Sequence, residues 1–310
     1  MTAFLPLVLH ALAYGSILAL AAQGEVIAER AGVINLGVEG LMALGAVMAV
    51  LAADASLSPW LGCLAALITG SAGALVLGLA TVNGSANQTL CGVALTFLGL
   101  GLSAVLGHAV AGLPVSAIFG SWSVPGLSRL PGIGPVFIQS PFVYLAFIIL
   151  PITCHCLLFR TRLGLSLRAV GENPAAADAV GIPVRRYRLW AVVTGGALAG
   201  LAGADMTLSV MPVWSEGMIA GRGWIAVALV IFCGYRPVFA AASALLFGLV
   251  MSLSFFGQAQ GWPIAPAVLN MTPYLGTIMF MILPALVLPG MRRLMAAPAA
   301  LGIPYFREER

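Results

Sequence analysis

The chain has 310 residues, of which 61% are hydrophobic and only 8% are charged, and its formal net charge at pH 7 is +4. Because a soluble domain carries roughly 25% charged residues, this composition excludes a water-soluble protein and makes lipid the main solvent. The small positive charge is accounted for by membrane topology, so it does not indicate a basic face for nucleic acid. We therefore predict an all-α, polytopic helical membrane protein.

The predicted spans are apolar stretches close to the roughly 20 residues that a membrane-crossing helix needs. We place about nine of them (8–10), at residues 5–24, 32–53, 59–80, 90–111, 140–159, 189–210, 219–235, 238–256 and 272–290. The first stretch has no basic region and no small-residue cleavage site, which predicts a retained span rather than a signal peptide. Together the spans form a single transmembrane domain over residues 1–310.

The arginines define the predicted orientation, because basic residues gather in cytoplasmic loops. All fourteen basic residues are arginine, and six of them fall in a loop at residues 160–188. With that loop in the cytoplasm, six further arginines fall on the same side, namely Arg30, Arg236, Arg292, Arg293, Arg307 and Arg310. The C-terminus is then cytoplasmic. The proline-rich segment 112–139 becomes a structured external loop, either a connector or a docking surface for an external partner.

A polar segment, GENPAAADAVG at residues 171–181, interrupts the apolar pattern. Asn173 is a good helix cap, Pro174 suits the first helical position, and Gly181 can adopt the left-handed conformation that ends a helix. The short helix and its flanks comprise Glu172, Asn173, Pro174, Ala175, Ala176, Ala177, Asp178 and Gly181. The segment is either a connector lying on the membrane or, as we favour, a rigid element that inserts into another protein and transmits motion.

A second pattern is the run of small residues TGGALAGLAGA at residues 194–204. Gly196 and Gly200 are four residues apart, as are Ala199 and Gly203. Small residues at this spacing let helix backbones approach closely within lipid. We predict a packing seam here rather than a binding site.

Three stretches resemble one family of transport proteins. They are RAGVINLGVEGLMALGA (30–46), RLGLSLRAVGENPAAADAVGIPVRRYRLWAVVTGGALAGLAGA (162–204) and GRGWIAVALVIFCGYRP (221–237). They resemble ABC-importer permeases of the branched-chain amino acid, ribose and nucleoside permease family, in the nucleoside and simple-sugar branch that depends on basic membrane lipoproteins. The resemblance implies a type II-like importer transmembrane domain in the bacterial cytoplasmic (inner) membrane. The glycine-flanked charges Glu39 and Arg222, described below, indicate a weak internal repeat.

The resemblance also implies partners for the chain. Residues 172–181 would be the coupling helix that docks onto an ABC ATPase subunit, and that subunit would bind ATP and magnesium. A second permease subunit, a different chain, and an external substrate-binding lipoprotein would complete the importer. No cofactor is implied for this chain itself. The solute would be a nucleoside or simple sugar, moved inward by alternating access.

The sequence lacks the motifs of energy conversion and covalent catalysis. A P-loop requires a lysine that reaches the phosphates, and this chain contains no lysine. The protease and hydrolase motifs H-E-x-x-H and G-x-S-x-G are also missing, and Cys154-His155-Cys156 has a spacing that suits no common zinc site. We therefore predict a transport subunit with no metal and no enzymatic activity. An ion-coupled secondary transporter, with Glu39 and Asp205 as ion sites, is the alternative.

Charged residues inside predicted spans mark the candidate substrate pathway, because charge is costly in lipid. Glu39 and Arg222 each lie beside glycines early in an apolar run, a pattern that points to a central site in repeat-built transporters. Their side chains either face this pathway or form an ion pair that only locks two helices. The candidate pathway residues are Asn35, Glu39, Asn87, Arg222 and Trp224. Helix capping is the stronger interpretation for Asn87, and tryptophans such as Trp224 commonly anchor a helix at the membrane interface.

Overall fold

The protein is built from long helices that follow most of the predicted spans. The structure, a computed structural model, describes residues 4–287 and 296–306. Within these residues the α-helices are α1 Phe4–Arg30, α2 Val38–Ser56, α3 Pro59–Gly78, α4 Gln88–Gly107, α5 Pro141–Tyr144, α6 Leu150–Arg160, α7 Arg162–Glu172, α8 Pro174–Ala179, α9 Val184–Asp205, α10 Arg222–Phe232, α11 Pro237–Ala259 and α12 Pro266–Val287. Single π-helical turns extend α3 and α9 and join α5 to α6.

Seven helical stretches among the described residues are long and apolar enough to cross a membrane. They are Leu5–Arg30, Val38–Ser56, Pro59–Asn83, Gln88–Val110, Pro141–Arg160, Val184–Val210 and Pro237–Ala259. The predicted all-α, polytopic architecture is therefore confirmed. The count of nine spans stays a prediction.

The first two predicted spans have wrong boundaries, for local reasons. Span one does not end at residue 24, because α1 continues to Arg30. Gly24 does not break the helix but lets it approach α9, where a Cβ on Gly24 would lie 2.6 Å from the Gly195 carbonyl oxygen. Span two does not begin at residue 32, because Asn35 Oδ1 accepts a hydrogen bond from the Gly37 N–H at 3.0 Å and forms a turn before α2.

Within the predicted span 219–235 the helix is shorter than the span, and this difference matters for the site. Its helix, α10, covers only Arg222–Phe232, which is 11 residues. The last predicted span, 272–290, corresponds to α12, although its residues 288–290 lie outside the described part of the chain.

The predicted packing seam is confirmed at the centre of the bundle, where α9 packs against α1, α2 and α3. Gly195 faces Gly24 of α1, while Gly200 lies against Gly45 of α2 and Ala66 of α3. A Cβ added at Gly24, Gly45 or Gly200 would overlap backbone atoms of the neighbouring helix, and one added at Gly195 would lie 3.0 Å from the Gly24 carbonyl oxygen. The small side chains therefore set the interhelical distance, as expected for packing within lipid.

Segment 112–139 is ordered, as predicted for a structured loop. It contains 3-10 turns and an antiparallel ribbon of β1, Trp122–Ser123, and β2, Ile138–Gln139. The Ser116 N–H donates to Asp54 Oδ1 at 2.7 Å, which fastens the loop to the end of α2. The loop thus covers one end of the bundle, and its placement outside the membrane stays a prediction.

Residues 160–188, predicted as a loop, are mostly helical. They contain α7 and the short helix α8, and α9 begins at Val184 rather than at residue 189. A signal for α7 is present in the sequence, because its buried residues Gly164, Leu167 and Gly171 recur at helical spacing.

Candidate functional site

Glu39 binds the start of α10 through both of its carboxylate oxygens. Oε1 accepts a hydrogen bond from the Gly221 N–H and Oε2 from the Gly223 N–H, each at 2.7 Å. A Cβ on Gly223 would lie 2.6 Å from the Glu39 Cα, so only glycine allows α2 and α10 to approach this closely. The negative charge thus lies at the positive end of the α10 dipole, where it is stabilising.

The length of α10 places this contact deep in the protein. Eleven residues give a helix of about 16 Å, whereas the hydrocarbon core of a bilayer is about 30 Å thick. Beyond its C-terminal end, the carbonyls of Gly234 and Tyr235 accept hydrogen bonds from Arg30, the last residue of α1. If that end lies at a membrane face, the Glu39 contact lies about halfway through the core. Broken helices whose ends meet at this depth are a hallmark of transporter binding sites.

Arg222, the first residue of α10, faces away from this contact. Its Nη1 donates to the carbonyls of Met218, at 2.7 Å, and Ile219, at 3.0 Å. Its Nε has no hydrogen-bond partner within the described residues. Glu39 and Arg222 therefore lie at the same helix start but bond to backbone groups rather than to each other.

Both ends of α10 turn through left-handed backbone. Ala220 and Gly221 precede the helix with φ of 50° and 78°, and Gly234 and Tyr235 follow it with φ of 63° and 58°. A positive φ is uncommon outside glycine and is a source of strain for larger residues. α10 is thus a short rigid segment between two sharp turns.

A cavity of about 280 Å³ opens beside Arg222, between α10, α11 and α12. Its lining combines one cation, polar side chains and aromatic rings: Ala220, Arg222, Ile225, Met251, Ser254, Phe255, Asn270, Pro273 and Tyr274. We call it the Arg222 cavity. Arg222 is only 8% exposed, so its charge is almost entirely enclosed by protein.

The other predicted pathway residues lie elsewhere. Asn35 is buried in the turn before α2, and its side chain interacts with the Glu25 carboxylate. Asn87 caps α4, with its Oδ1 accepting from the Leu90 N–H at 3.0 Å. Trp224 is 41% exposed on the outer face of α10. The structure therefore brings Glu39 and Arg222 together at α10, but neither Asn87 nor Trp224 lines the Arg222 cavity.

Sequence reasoning missed a group of buried polar residues on α1. Gln23, Glu25 and Glu29 are at most 2% exposed, and the Glu25 carboxylate interacts with Asn35. Gln23 lies within the predicted first span, whereas Glu25 and Glu29 fall inside α1 because the helix continues to Arg30. Asp205, which was noticed, accepts a hydrogen bond from Ser16 Oγ at 2.6 Å and ties α9 to α1.

The short helix α8 has the predicted ends. Asn173 Oδ1 accepts from the Ala176 N–H at 3.0 Å, Pro174 is the first helical residue, and Gly181 has a φ of 86°. Ala177 is buried against Val170 and Val184. Much of the remaining surface is exposed, with Glu172, Asn173, Ala175, Ala176 and Gly181 all open to solvent. The helix itself is thus confirmed, and its coupling role stays a prediction.

A C-terminal segment, residues 296–306, packs beside α8. The Ala299 N–H donates to Glu172 Oε2 at 3.2 Å, and the Ala300 N–H donates to the Gly171 carbonyl at 2.9 Å. Arg188 Nη1 donates to the Ile303 carbonyl at 2.8 Å. We call this segment the C-terminal clasp, because it joins the end of α7 to the beginning of α9. The predicted cytoplasmic residues Arg292, Arg293, Arg307 and Arg310 lie outside the described residues.

Comparison with known proteins identifies relatives over nearly the whole chain. The chain is 33% identical over 314 residues to the guanosine ABC transporter permease protein NupQ of Bacillus subtilis, covering 96% of each chain. It is 35% identical over 289 residues to the nucleoside ABC transporter permease protein NupC of Lactococcus lactis, covering 89% of this chain and 91% of the relative. No solved structure matches the chain.

A third relative, TsgC13 of Haloferax volcanii, is an ABC transporter permease provisionally named for glucose. It is 39% identical over 275 residues, which cover 85% of this chain and 82% of the relative. All three relatives are permease subunits of ABC transporters rather than enzymes, as the motifs predicted. The family model described as branched-chain amino acid transport system / permease component matches residues 7–288. The chain therefore belongs to this family of ABC transporter permeases.

Proposed function

We propose that the chain is the membrane-spanning subunit of an ATP-driven importer that moves a nucleoside or a simple sugar inward. The observation that carries this proposal is the likeness to the guanosine permease, which extends over 96% of both chains. The relative named for glucose supports a sugar as the second candidate solute. An ion-coupled transporter is disfavoured, because the family consists of permeases driven by a separate ATPase.

In this proposal α8 is the coupling helix that receives the motion of the ATPase subunit. An exposed surface of small side chains, held by a capped start and a glycine end, suits insertion into a groove of another protein. Such a short helix is marginal alone in water, and the buried Ala177 gives it a fixed seat on α7 and α9. No metal or nucleotide is assigned to this chain, since the ATPase would bind ATP and magnesium.

The membrane arrangement proposed here has nine passes. α10 together with the irregular chain before it makes one pass, and α12 makes the last. α8 and the C-terminal clasp then lie on the cytoplasmic side, and segment 112–139 lies outside, where a binding lipoprotein would dock. A second permease subunit, as a different chain, completes the pathway. The weak repeat is supported by the two glycine-flanked charges, since Glu39 and Arg222 both lie in the first turn of a helix.

The test begins with co-purification of the intact complex and identification of its ATPase and second permease. The complex is then reconstituted into vesicles with its binding protein, and ATP turnover and solute uptake are measured with guanosine and with glucose. We expect ATP-dependent uptake of one of these solutes. Uptake that survives ATP depletion and collapses with an uncoupler would overturn the proposal.

A further inference from the structure

The polar side chains of the Arg222 cavity differ in whether their hydrogen atoms are already used. Ser254 Oγ donates to the Leu269 carbonyl at 2.7 Å. The Tyr274 hydroxyl donates to the Ala220 carbonyl. Both hydroxyl hydrogens therefore bond to backbone carbonyls and are not available to a ligand.

Two residues that line the Arg222 cavity, Arg222 and Asn270, carry N–H groups without an acceptor among the described residues. Arg222 Nε has no partner within the described residues. Asn270 Oδ1 accepts from Gln258 Nε2 at 2.9 Å, which leaves the amide hydrogens of Asn270 for another acceptor. No carboxylate among the described residues lines the cavity, and both oxygens of Glu39 are occupied by α10. An enclosed cation with unmet donors favours a ligand that is rich in acceptors.

The apolar walls of the same cavity suit a flat ring. Phe255 and Tyr274 both line it, and Tyr14 stacks on Phe255 with ring centroids 5.0 Å apart, which holds the Phe255 ring in place. Aromatic side chains pack well against planar ring systems. The volume of about 280 Å³ is near the lower limit for small-molecule sites, about 300 Å³, so it suits one heterocycle.

We propose that the Arg222 cavity binds the base of a nucleoside on its way through the protein. Arg222 and Asn270 donate to a carbonyl oxygen of the base, and the ring lies against Phe255 and Tyr274. The inference rests on the proposed function and narrows its solute to nucleosides whose base carries a carbonyl group. A sugar fits the cavity less well, because it has no planar ring and its many hydroxyl hydrogens need acceptors.

The test compares uptake of inosine with uptake of purine riboside, which lacks the carbonyl group on its ring. The reconstituted complex is assembled with wild-type chain, Arg222→Met or Asn270→Leu, always with the same binding protein. Because the preference of the binding protein is common to all samples, it cancels when the inosine-to-purine-riboside ratios are compared. We expect the ratio to fall by on the order of tenfold in Arg222→Met, the effect of losing a hydrogen bond to a charged group.

The control is His10→Ala, which should keep the wild-type uptake ratio. His10 lines a neighbouring cavity that shares only Phe255 with the Arg222 cavity. If the complex containing Arg222→Met does not assemble, the Asn270→Leu and Asn270→Cys variants test the cavity assignment in its place. Inosine should protect the introduced cysteine from a maleimide, and glucose should not. An unchanged ratio in Asn270→Leu together with no protection would overturn the cavity assignment. Wild-type complex that imports glucose but no nucleoside would overturn the nucleoside class and leave the importer function standing.

Discussion

Glu39 supplies, with one carboxylate, two acceptors that the first turn of α10 cannot find within its own helix. The first N–H groups of any helix lack internal partners, and deep in lipid they have no water to replace them. The Glu39 carboxylate accepts hydrogen bonds from the Gly221 and Gly223 N–H groups, each at 2.7 Å, and so supplies the missing acceptors. A single residue of α2 therefore determines where α10 begins.

The first prediction concerns this carboxylate. Glu39→Gln keeps one acceptor oxygen but turns an amide N–H₂ group toward a backbone N–H, and it removes the charge at the helix dipole. We expect a loss of stability of about 1–3 kcal/mol and reduced uptake. Thermal unfolding in detergent and uptake by vesicles measure these effects. Normal stability with normal uptake would show that Glu39 matters neither to α10 nor to the pathway.

Gly223 gives a second prediction at the same contact. Gly223→Ala would place a Cβ 2.6 Å from both Cα and N of Glu39, so the two helices must separate and the carboxylate bonds lengthen. Gly101→Ala is the matched control, because nothing lies within 4 Å of a Cβ at that position in α4. We expect a marked drop in melting temperature for Gly223→Ala and none for Gly101→Ala. Equal melting temperatures would contradict the close approach of α2 and α10.

At this scale the sequence identified Glu39 and Arg222, because a charge in an apolar run is conspicuous. It could not identify their partners, since backbone groups have no sequence signature. Glu25 and Glu29 were missed because the first span was ended at residue 24, although α1 continues to Arg30. The error in one boundary thus concealed two buried carboxylates.

At the scale of elements, the C-terminal clasp depends on Arg188. This side chain is 2% exposed, and it donates to the carbonyls of Ile303, at 2.8 Å, and Ala300, at 3.4 Å. Arg188→Met keeps most of the apolar stem but leaves both carbonyls without their donor. We expect faster hydrogen exchange in residues 296–306, measured by mass spectrometry. Arg185→Met, one turn earlier and exposed, should leave exchange unchanged, and equal exchange in both variants would contradict the clasp.

The cap of α8 gives a fourth prediction. Asn173→Ala removes the acceptor for the Ala176 N–H, a loss of about 1 kcal/mol for a helix of this kind. If α8 transmits the motion of the ATPase, fewer solute molecules are moved for each ATP hydrolysed. Asn173→Ser restores an accepting oxygen and should restore the ratio of uptake to hydrolysis. A ratio that is unchanged in Asn173→Ala would argue against coupling through α8.

Elements differ in how well the sequence predicts them. The ends of α8 were predictable, because capping residues act over three or four positions. The helix α7 is hard to predict, because its arginines are typical of a cytoplasmic loop and its buried face is fixed by packing against α6. The shortness of α10 also could not be predicted, because its start is determined by Glu39, more than 180 residues away.

At the scale of the whole molecule, the orientation of the chain in the membrane can be tested directly. Ser121 lies exposed in the segment 112–139, and Arg185 lies exposed near α8. In a background without the five natural cysteines, Ser121→Cys should react with an impermeant maleimide in intact cells. Arg185→Cys should react only after the membrane is permeabilised. The opposite pattern would reverse the proposed topology.

The overall architecture followed from composition and from the spacing of apolar stretches, because lipid allows few alternatives to spanning helices. The arrangement of the helices did not follow from composition or from the spacing of apolar stretches, with one exception. The glycines of residues 194–204 predicted a seam, and α9 indeed lies at the centre. Which helices it contacts depends on glycines far away in the chain, such as Gly24 and Gly45.

Because α10 is short, the two ends of this part of the protein differ in stiffness. At the end near Arg30, this part of the protein is the regular helix α10, in which each turn is hydrogen-bonded to the next. On the other side, it is a chain of turns from Ser215 to Gly221, which has fewer internal bonds to break. We expect these turns to deform more readily than α10 when the bundle changes shape.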